Sequence, residues 1–358
     1  MGNEGSQLSG LEIANEIIEV TNSWTLKNAS LHGSSRPLSL FISQEESILQ
    51  LEQAAKKLKL YRHPGIVKYV DTWIQSSSLY LATERVVPLA QVLPTLSSLQ
   101  ACLGLRSILS ALVFLHDRAQ VSHNNVCCAS IYVASDGAWK LGNFEFLCNQ
   151  QELSTAFLRE RKPRRYEPAI APDEDKGISV PSSVDVYAFG RLVQEVLKHK
   201  EVPGEFADAA NNFLSIATTQ LQQSKPEDRG NLAPLLEHSY FSHPVVAVVE
   251  FLSALTLKSA DEKEQFFRSL WIQLATLPEV MVANQLADLL LSRLVLLESP
   301  AQQHLLPWLL AVRQDDLDSG FSILYFSSIQ SGECSPIFSK GVFEQHIAPK
   351  LSRIFQVF

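Results

Sequence analysis

The spacing of apolar residues predicts a sheet in the first quarter of the chain and helices after it. Apolar and polar residues alternate along residues 13–20, 38–42 and 79–85, as they do in strands that bury one face. Helical spacing occurs along residues 46–60 and again along 99–117. The predicted core face of this second helix contains Cys102, Leu105, Leu109, Leu112 and His116. His116 is interpreted as structural, because no second histidine or carboxylate is spaced to share a metal ion with it.

Beyond residue 244 the pattern is helical almost throughout. Apolar-periodic segments lie at residues 245–257, 262–277, 280–297 and 301–312. They are typical of HEAT-like helical repeats, which bury their apolar faces only by stacking on neighbours; the alternative is a helical extension of the preceding domain. Residues 314–340 are rich in Ser and Asp and predict a long insertion. A last helix is predicted at 341–358, its apolar face either packed on the preceding helices or continuing into a longer repeat array.

One stretch, residues 121–145, carries most of the chemical information. Its sequence, VSHNNVCCASIYVASDGAWKLGNFE, resembles the catalytic loop and metal-binding turn of protein kinases, whose motifs are H-R-D-L-x-x-x-N and D-F-G. His123 keeps its position and is expected to be structural. Asn125 stands in place of the catalytic Asp, Ser130 in place of the metal-binding Asn, and Asn143 in place of the Asp of D-F-G. Because amides are not bases near neutral pH and bind magnesium weakly, we expect no phosphoryl transfer and no bound metal.

The residues that would hold a nucleotide in such a fold are replaced as well. Between residues 19 and 42 the only glycine is Gly33, so the motif G-x-G-x-x-G is absent. The strand that would end in a phosphate-binding lysine ends in Ser43. Ten residues before Pro64, where a glutamate would pair with that lysine, the sequence has Ala54. Both halves of the Lys–Glu pair are therefore missing, and no cofactor is expected.

The positions that hold this fold together are, by contrast, retained. Asp185 opens the segment D-V-Y-A-F-G, which is typical of the buried central helix of a kinase large lobe. Arg229 follows Pro226, and residues 171–174 form a displaced version of the A-P-E motif. We expect Glu174 or Asp173 to pair with Arg229 in an architectural salt bridge.

Composition and charge exclude several other classes of protein. The chain has 358 residues, is 46% hydrophobic and carries a formal net charge of −8, which argues against a general nucleic-acid binder. Its five cysteines have no metal-ligand spacing and fit a reduced cytoplasmic compartment. No signal peptide and no uncharged apolar run of membrane-spanning length is recognisable in the sequence.

Two segments predict weak membrane attachment. The first residues fit the myristoylation pattern M-G-x-x-x-[ST], with Gly2 as acceptor, although such a match also arises by chance. One acyl chain binds membranes only marginally, so a second signal is expected. Residues 159–165 contain five basic residues and one acidic residue and would attract anionic lipid. The alternatives for this segment are a solvated loop and a nuclear-import signal.

Together these features are similar to the SCYL family of pseudokinases. The resemblance is carried by residues 54–59, 62–64, 83–86, 114–118, 123–127, 139–142, 251–252 and 255–259. It implies an α+β kinase-like fold followed by HEAT-like helices. Its domains would be an N-terminal segment at 1–10, a small lobe at 11–85, a large lobe at 86–243 and helical repeats at 244–358. The chain departs from the family at Ser43, and it stops where the family continues through further repeats.

The family resemblance also implies a function. The expected protein is a non-catalytic adaptor for an ezrin-type cytoskeletal linker or for membrane-trafficking factors, acting in adhesion, migration or Golgi trafficking. Its expected locations are the cytoplasm, the Golgi and lamellipodia. One alternative is an unusual kinase that relocates its lysine to Lys140 or Lys56 and uses Glu145 for metal. Another keeps a nucleotide as a structural ligand without turnover.

Overall fold

The first five strands form one antiparallel sheet in the computed structural model, which describes residues 10–31, 34–177, 179–198, 200, 205–313 and 336–355. They are β1 (Leu11–Val20), β2 (Trp24–Leu31), β3 (Ser34–Ser43), β4 (Tyr69–Gln75) and β5 (Ser78–Glu84). Their order is β1-β2-β3-β5-β4, so β1 and β4 are the edges. Leu38, Leu40 and Trp73 are buried in the core of the sheet, and most side chains of β1 are exposed. The three strands predicted from alternation are confirmed.

Helix α1 (Ile48–Leu60) follows a 3-10 turn at Glu45–Ser47 and covers the sheet. Its buried residues, Leu51, Ala54, Ala55 and Leu58, recur at three- and four-residue intervals and so share one face. The helix ends where the chain turns extended at Tyr61. This packing places the middle of α1 next to the 3-10 turn Phe144–Phe146 of the following lobe.

The large lobe is mainly helical. Its elements are β6 (Val86–Pro88), α2 (Leu89–Val92), α3 (Ser98–Val113), β7 (Val121–Ser122), β8 (Ile131–Ala134), β9 (Trp139–Leu141), β10 (Cys148–Asn149), α4 (Thr155–Arg161), α5 (Ser183–Leu197) and α6 (Glu205–Thr219). Strands β6, β8 and β9 form one small sheet, and β7 pairs with β10. The rest of the lobe, to residue 241, consists of 3-10 turns.

Helix α3 begins at a capping box, in which the Ser97 hydroxyl and the Gln100 side chain satisfy each other's main-chain N–H groups. Together with a π-helical turn at Phe114–Arg118, it is long and apolar enough to cross a membrane by length and composition alone. In the structure, however, its predicted core face is buried inside the lobe. At Gly104 an added Cβ would lie 2.1 Å from the ring of the buried Trp139, so this close approach requires glycine.

Two buried ion pairs hold the chain after α4, and one of them joins it to the end of the lobe. Arg229 pairs with Asp173, and it also donates to the main-chain oxygens of Gln223 and Ser183. Glu174, the other predicted partner of Arg229, pairs with Arg165 instead, at 2.6 and 2.8 Å. Of the two carboxylates predicted as partners of Arg229, Asp173 is therefore the one that pairs with it.

The chain divides into two compact units, Met1–Phe241 and Ser242–Phe358. The second unit contains α7 (Pro244–Ser253), α8 (Ala260–Ala275), α9 (Glu279–Met281), α10 (Ala287–Leu290), α11 (Arg293–Leu296), α12 (Ser299–His304) and α13 (Leu306–Leu309). Two short parallel strands, β11 (Val312–Arg313) and β12 (Phe338–Ser339), precede helical turns at Lys340–Val342, Phe343–Ile347 and Ala348–Phe355. The predicted insertion at 314–340 lies largely outside the described residues.

The helices of the second unit are shorter than predicted. The segment 280–297 was expected to be one helix, but it contains a π-helical turn and is interrupted before α11. The interruption arises because the Ser292 hydroxyl accepts the N–H of Val295 and caps a new helix. The last helix packs on α10, where Lys350 Nζ lies 2.6 Å from Asp288 Oδ1. The assignment of these helices to HEAT-like repeats stays a prediction.

The buried pair between Arg229 and Asp173 gives a prediction about stability. We expect Arg229→Met to lower the free energy of unfolding by about 3–5 kcal/mol, because it leaves a buried carboxylate uncompensated. The control is Lys56→Met, which removes an exposed pair with Glu52 and should change it by less than about 1 kcal/mol. Urea denaturation of the full chain measures both. Equal effects of the two variants would contradict the architectural role of Arg229.

Candidate functional site

The candidate site is the cleft between the five-stranded sheet and the large lobe, where a kinase-like fold would hold its nucleotide. Three aromatic side chains fill it: Trp24 from β2, Phe41 from β3 and Tyr132 from β8. Trp24 and Phe41 meet edge to face with their ring centroids 6.0 Å apart, and Phe41 meets Tyr132 in the same way at 5.5 Å. All three are buried. Edge-to-face contacts of this kind are favourable packing geometries.

A small cavity lies beside these rings. The cavity among Phe41, Ala54, Tyr132 and Asn143 has a volume of about 10 Å³. That is room for about one water-sized sphere, whereas small-molecule sites usually measure roughly 300–1,000 Å³. The residues present therefore do not fit a nucleotide with its magnesium ions.

Ser43 and Ala54 lie where a lysine and a glutamate would meet in an active kinase. Ser43 is paired across the sheet with Trp24, and its hydroxyl accepts the N–H of Leu79 at 3.0 Å. Ala54 is buried on α1 beside Phe41 and lines the same small cavity. At Ala54 the contact between helix and sheet is therefore apolar, and the assignment of Ser43 and Ala54 to the lost ion pair stays a prediction.

The three positions that would carry the base and the metal ligands are used for internal hydrogen bonds. Asn125 Oδ1 accepts the N–H of Tyr166 at 2.9 Å. Ser130 Oγ both accepts from and donates to the main chain of Cys127. Asn143 adopts a left-handed backbone with φ of 57°, accepts from the Tyr132 hydroxyl at 2.9 Å and donates to the main-chain oxygen of Ala129. Asn is among the residues that tolerate this conformation best.

His123 and Asp185 fix the backbone of the loop. Asp185 accepts the N–H groups of His123 and Asn124, both at 2.7 Å, and lies 2.9 Å from His116 Nε2. His123 Nε2 donates to the main-chain oxygen of Gly142 at 2.7 Å, which ties the loop to the turn at Asn143. Burial lowers the pKa of His123, so its ring is neutral. Both residues have the structural role expected of them.

One polar contact in the site was missed in the sequence. Lys57 of α1 donates from Nζ to the main-chain oxygen of Glu145 at 2.9 Å. Burial raises the pKa of the Glu145 carboxyl to about 7 and lowers the pKa of Lys57 to about 8. Lys57 follows Ala54 by three residues, so both lie on the same face of the helix. That spacing could have indicated that Lys57 faces the cleft, but a lysine near the end of a helix is ordinarily solvated.

The lysines proposed for a relocated active site lie elsewhere. Lys140 donates to the main-chain oxygen of Pro64, outside the aromatic cleft, and Lys56 is exposed and paired with Glu52. Within the described part of the chain no three His, Cys, Asp or Glu side chains come together as metal ligands.

The basic segment at 159–165 is not a loop, and its charges are largely paired. It forms the end of α4 and a 3-10 turn, Lys162–Arg164. Its ion pairs are Arg159 and Lys162 with Asp175, Arg161 with Glu160, and buried Arg165 with Glu174. The charge available for anionic lipid is thus smaller than the sequence indicated. Gly2 lies outside the described residues.

Comparison with known proteins agrees with this architecture. Residues 41–244 match the family model described as protein tyrosine and serine/threonine kinase. The mouse protein named "Protein-associating with the carboxyl-terminal domain of ezrin" is 34% identical over 365 residues, which cover 100% of this chain and 47% of the relative. The "Probable inactive serine/threonine-protein kinase scy1" of Dictyostelium discoideum is 28% identical over 69% of this chain and 32% of its own length.

A third relative is also similar to this chain over part of its own length. The "Protein kinase domain-containing protein ppk3" of Schizosaccharomyces pombe is 26% identical over 75% of this chain and 43% of its own length. The chain thus spans less than half of each of these relatives. The matched residues include both lobes around the aromatic cleft. This protein belongs to the protein tyrosine and serine/threonine kinase family, within its SCYL group.

Proposed function

We propose that this protein is a catalytically inactive, kinase-like scaffold that binds protein partners. The observation that carries the proposal is the filled cleft: Trp24, Phe41 and Tyr132 occupy the space of a nucleotide and leave a cavity of about 10 Å³. Opening it would expose three packed aromatic rings to water, at a cost of several kcal/mol. The name of the Dictyostelium relative, a probable inactive kinase, supports the same conclusion.

The charges around the cleft also oppose nucleotide binding. Glu19 of β1 is partly buried near Tyr132 and Tyr166, on the strand that would precede a glycine-rich loop. Burial raises the pKa of Glu19 to about 7, as it does for Glu145. Phosphates entering this cleft would meet two carboxyl groups and no lysine at position 43, whereas kinases offer a cation and bound magnesium.

We further propose that the contact between Lys57 and Glu145 replaces the missing Lys–Glu pair. In an active kinase that pair and the bound nucleotide hold the helix against the lobe. Here the lysine lies on the helix, and its acceptor is the turn that follows Asn143. With Ala54 packed beside Phe41, the helix is held without a ligand, as a constant scaffold requires.

The partners and location are also proposals. The name of the mouse relative states an association with the carboxyl-terminal domain of ezrin. We propose that this chain binds an ezrin-type cytoskeletal linker or a membrane-trafficking factor, in adhesion, migration or Golgi traffic. Myristate on Gly2 would hold it at the cytoplasmic face of the Golgi and at lamellipodia, with a smaller contribution from residues 159–165 because their charges are paired. The helices after residue 244 would act as HEAT-like repeats that offer a partner surface.

The filled cleft predicts no response to nucleotide. A thermal-shift titration with millimolar ATP, with and without magnesium or manganese, should leave the melting temperature of the full chain unchanged. A ligand at 100 times its dissociation constant would stabilise the fold by about 2.7 kcal/mol, a shift of several degrees. An active kinase domain measured in parallel is the positive control. A metal-dependent rise would contradict the scaffold proposal and favour nucleotide binding.

The buried Glu145 predicts a specific pH dependence. Its carboxyl has a pKa of about 7 when folded against 4.5 in the unfolded chain, so between these values the folded state holds the extra proton. Stability therefore falls as the pH rises through this window. Glu145→Gln should remove this loss. Between pH 5 and pH 8, the free energy of unfolding of the unaltered protein should therefore fall by on the order of 2 kcal/mol more than that of the variant.

The matched control for this experiment is Glu152→Gln, because Glu152 is exposed. Urea denaturation at a series of pH values measures all three proteins, and Glu19 contributes equally to each. If Glu145→Gln and Glu152→Gln have the same dependence of stability on pH, the buried carboxyl of Glu145 does not have a raised pKa and the prediction is wrong.

The acyl acceptor gives a prediction in cells. Gly2→Ala should abolish incorporation of an alkyne-tagged myristate and release most of the protein from the membrane fraction, because a lost acyl chain removes most of the buried apolar surface. Asn3→Ala is the control, since it keeps the acceptor. Labelling that persists in Gly2→Ala would show that the N-terminal motif is a chance match.

A further inference from the structure

A second cavity lies outside the aromatic cleft, on the segment that connects α1 to β4. We call it the linker pocket; it is formed by residues 61–64 and 66–69 together with Leu58, Glu84 and Lys140. Its volume is about 330 Å³, at the lower end of the range for ligand sites. That is enough for one large apolar side chain and its neighbours. None of the functions proposed above uses it.

The floor of the linker pocket is apolar and the walls are aromatic. Leu58, Ile66 and Val67 are buried beneath it, and the partly buried rings of Tyr61 and Tyr69 line its sides. An apolar floor between aromatic walls suits an aliphatic or aromatic side chain that is removed from water on binding.

The rim of the linker pocket is basic, on a protein whose net charge is −8. Arg62, Lys68 and Lys140 line it, and no carboxylate within the described residues forms an ion pair with any of them. Lys59 lies next to it, with Nζ 5.9 Å from the centroid of the Tyr69 ring. The only acidic side chain lining the pocket is Glu84, and its Oε1 accepts the main-chain N–H of Lys68 at 2.8 Å. Arg62 Nε and Lys140 Nζ donate only to the main-chain oxygens of Lys59 and Pro64, so an anionic ligand would meet cations that form no ion pair within the described residues.

Contacts of His63 and Lys140 fix the conformation of the segment that lines the linker pocket. His63 stacks on Phe114 with ring centroids 5.2 Å apart, and its Nδ1 accepts the N–H of Gly65 at 3.0 Å. Burial, and then the nearby charge of Lys140, lowers the pKa of His63, so it adds no charge to the rim. Lys140 donates to the main-chain oxygen of Pro64 at 2.5 Å. These contacts preorganise the connecting segment, which reduces the entropy cost of binding.

We propose that the linker pocket binds an acidic peptide segment of a partner protein. One apolar side chain of the peptide enters the cavity, and flanking carboxylates bind Arg62, Lys68 and Lys140. An extended peptide fits because Tyr69, which lines the pocket, is the first residue of β4, an edge strand of the sheet. This inference rests on the proposed scaffold function and gives it one defined surface.

The test uses the full chain and a fluorescein-labelled peptide of about twelve residues, with a central Leu-Phe flanked by Asp and Glu. Fluorescence anisotropy should show saturable binding that weakens as salt is added, because the contacts are ionic and exposed. A peptide with the same Leu-Phe but with Asn and Gln in place of the acids should bind about tenfold more weakly or worse. Absence of binding, or equal binding of the neutral peptide, would overturn the proposal.

Variants locate the binding on the protein. Arg62→Glu combined with Lys68→Glu should weaken binding of the acidic peptide about tenfold or more, because it reverses the charge of the rim. Both side chains are exposed, so the melting temperature should stay close to that of the unaltered protein. The matched control is Lys198→Glu with Lys225→Glu, the same change of net charge at exposed lysines of the large lobe. Equal loss in both pairs would show general electrostatic attraction and overturn the assignment.

A membrane is the competing source of negative charge. Vesicles of phosphatidylcholine with and without phosphatidylserine should bind the non-myristoylated protein equally with and without the Arg62→Glu and Lys68→Glu changes. Vesicle binding that is lost in this variant, with no binding of the acidic peptide, would assign the pocket to lipid headgroups instead. The ATP titration tests the scaffold proposal separately, so a failed peptide experiment leaves that result standing.

Discussion

The carboxylate of Asp185 is the constraint on which the rest of the large lobe depends. It is fully buried on α5 and receives the N–H groups of His123 and Asn124. Burial alone would raise the pKa of Asp185, but the hydrogen bond and charge of His116, with the main-chain hydrogen bond from His123, hold it below its usual value. A buried charge is stable only when it is satisfied in this way. The backbone of the loop is thus fixed by a residue that takes no part in phosphoryl transfer.

Because Asp185 fixes the backbone of the loop, the side chains on the other side of the loop can change without altering its conformation. Asn125, Ser130 and Asn143 keep the backbone of a catalytic site, yet their side chains bind neighbouring main-chain groups or the Tyr132 hydroxyl. The space above them is occupied by aromatic rings. In the proposed scaffold, the sheet and the large lobe are therefore held together by buried apolar side chains and need no nucleotide between them. The proposed loss of chemistry at Asn125, Ser130 and Asn143 is thus accompanied by the packing of Trp24, Phe41 and Tyr132 in the cleft.

Much of the fold, but less of the site, could be predicted from the sequence. Periodicity located the strands and α3, because one buried face leaves a regular pattern. Motif spacing located Ser43, Ala54 and Asn143. The filling of the cleft could not be predicted, since Phe41 in a strand looks the same whether it packs in a core or in a ligand site. The breaks between helices after residue 279 were missed because they depend on local capping, such as that by Ser292.

Charge counting along the chain was misleading for a related reason. Residues 159–165 have a strongly basic sequence, but Arg159 and Lys162 pair with Asp175, and Arg165 is buried against Glu174. The linker pocket has no such run in the sequence, because its cations come from the connecting segment and from β9. The two surfaces differ in whether their cations form ion pairs with carboxylates of the same chain, and only the fold determines that. For the proposed scaffold, we therefore expect partner recognition at surfaces such as the linker pocket.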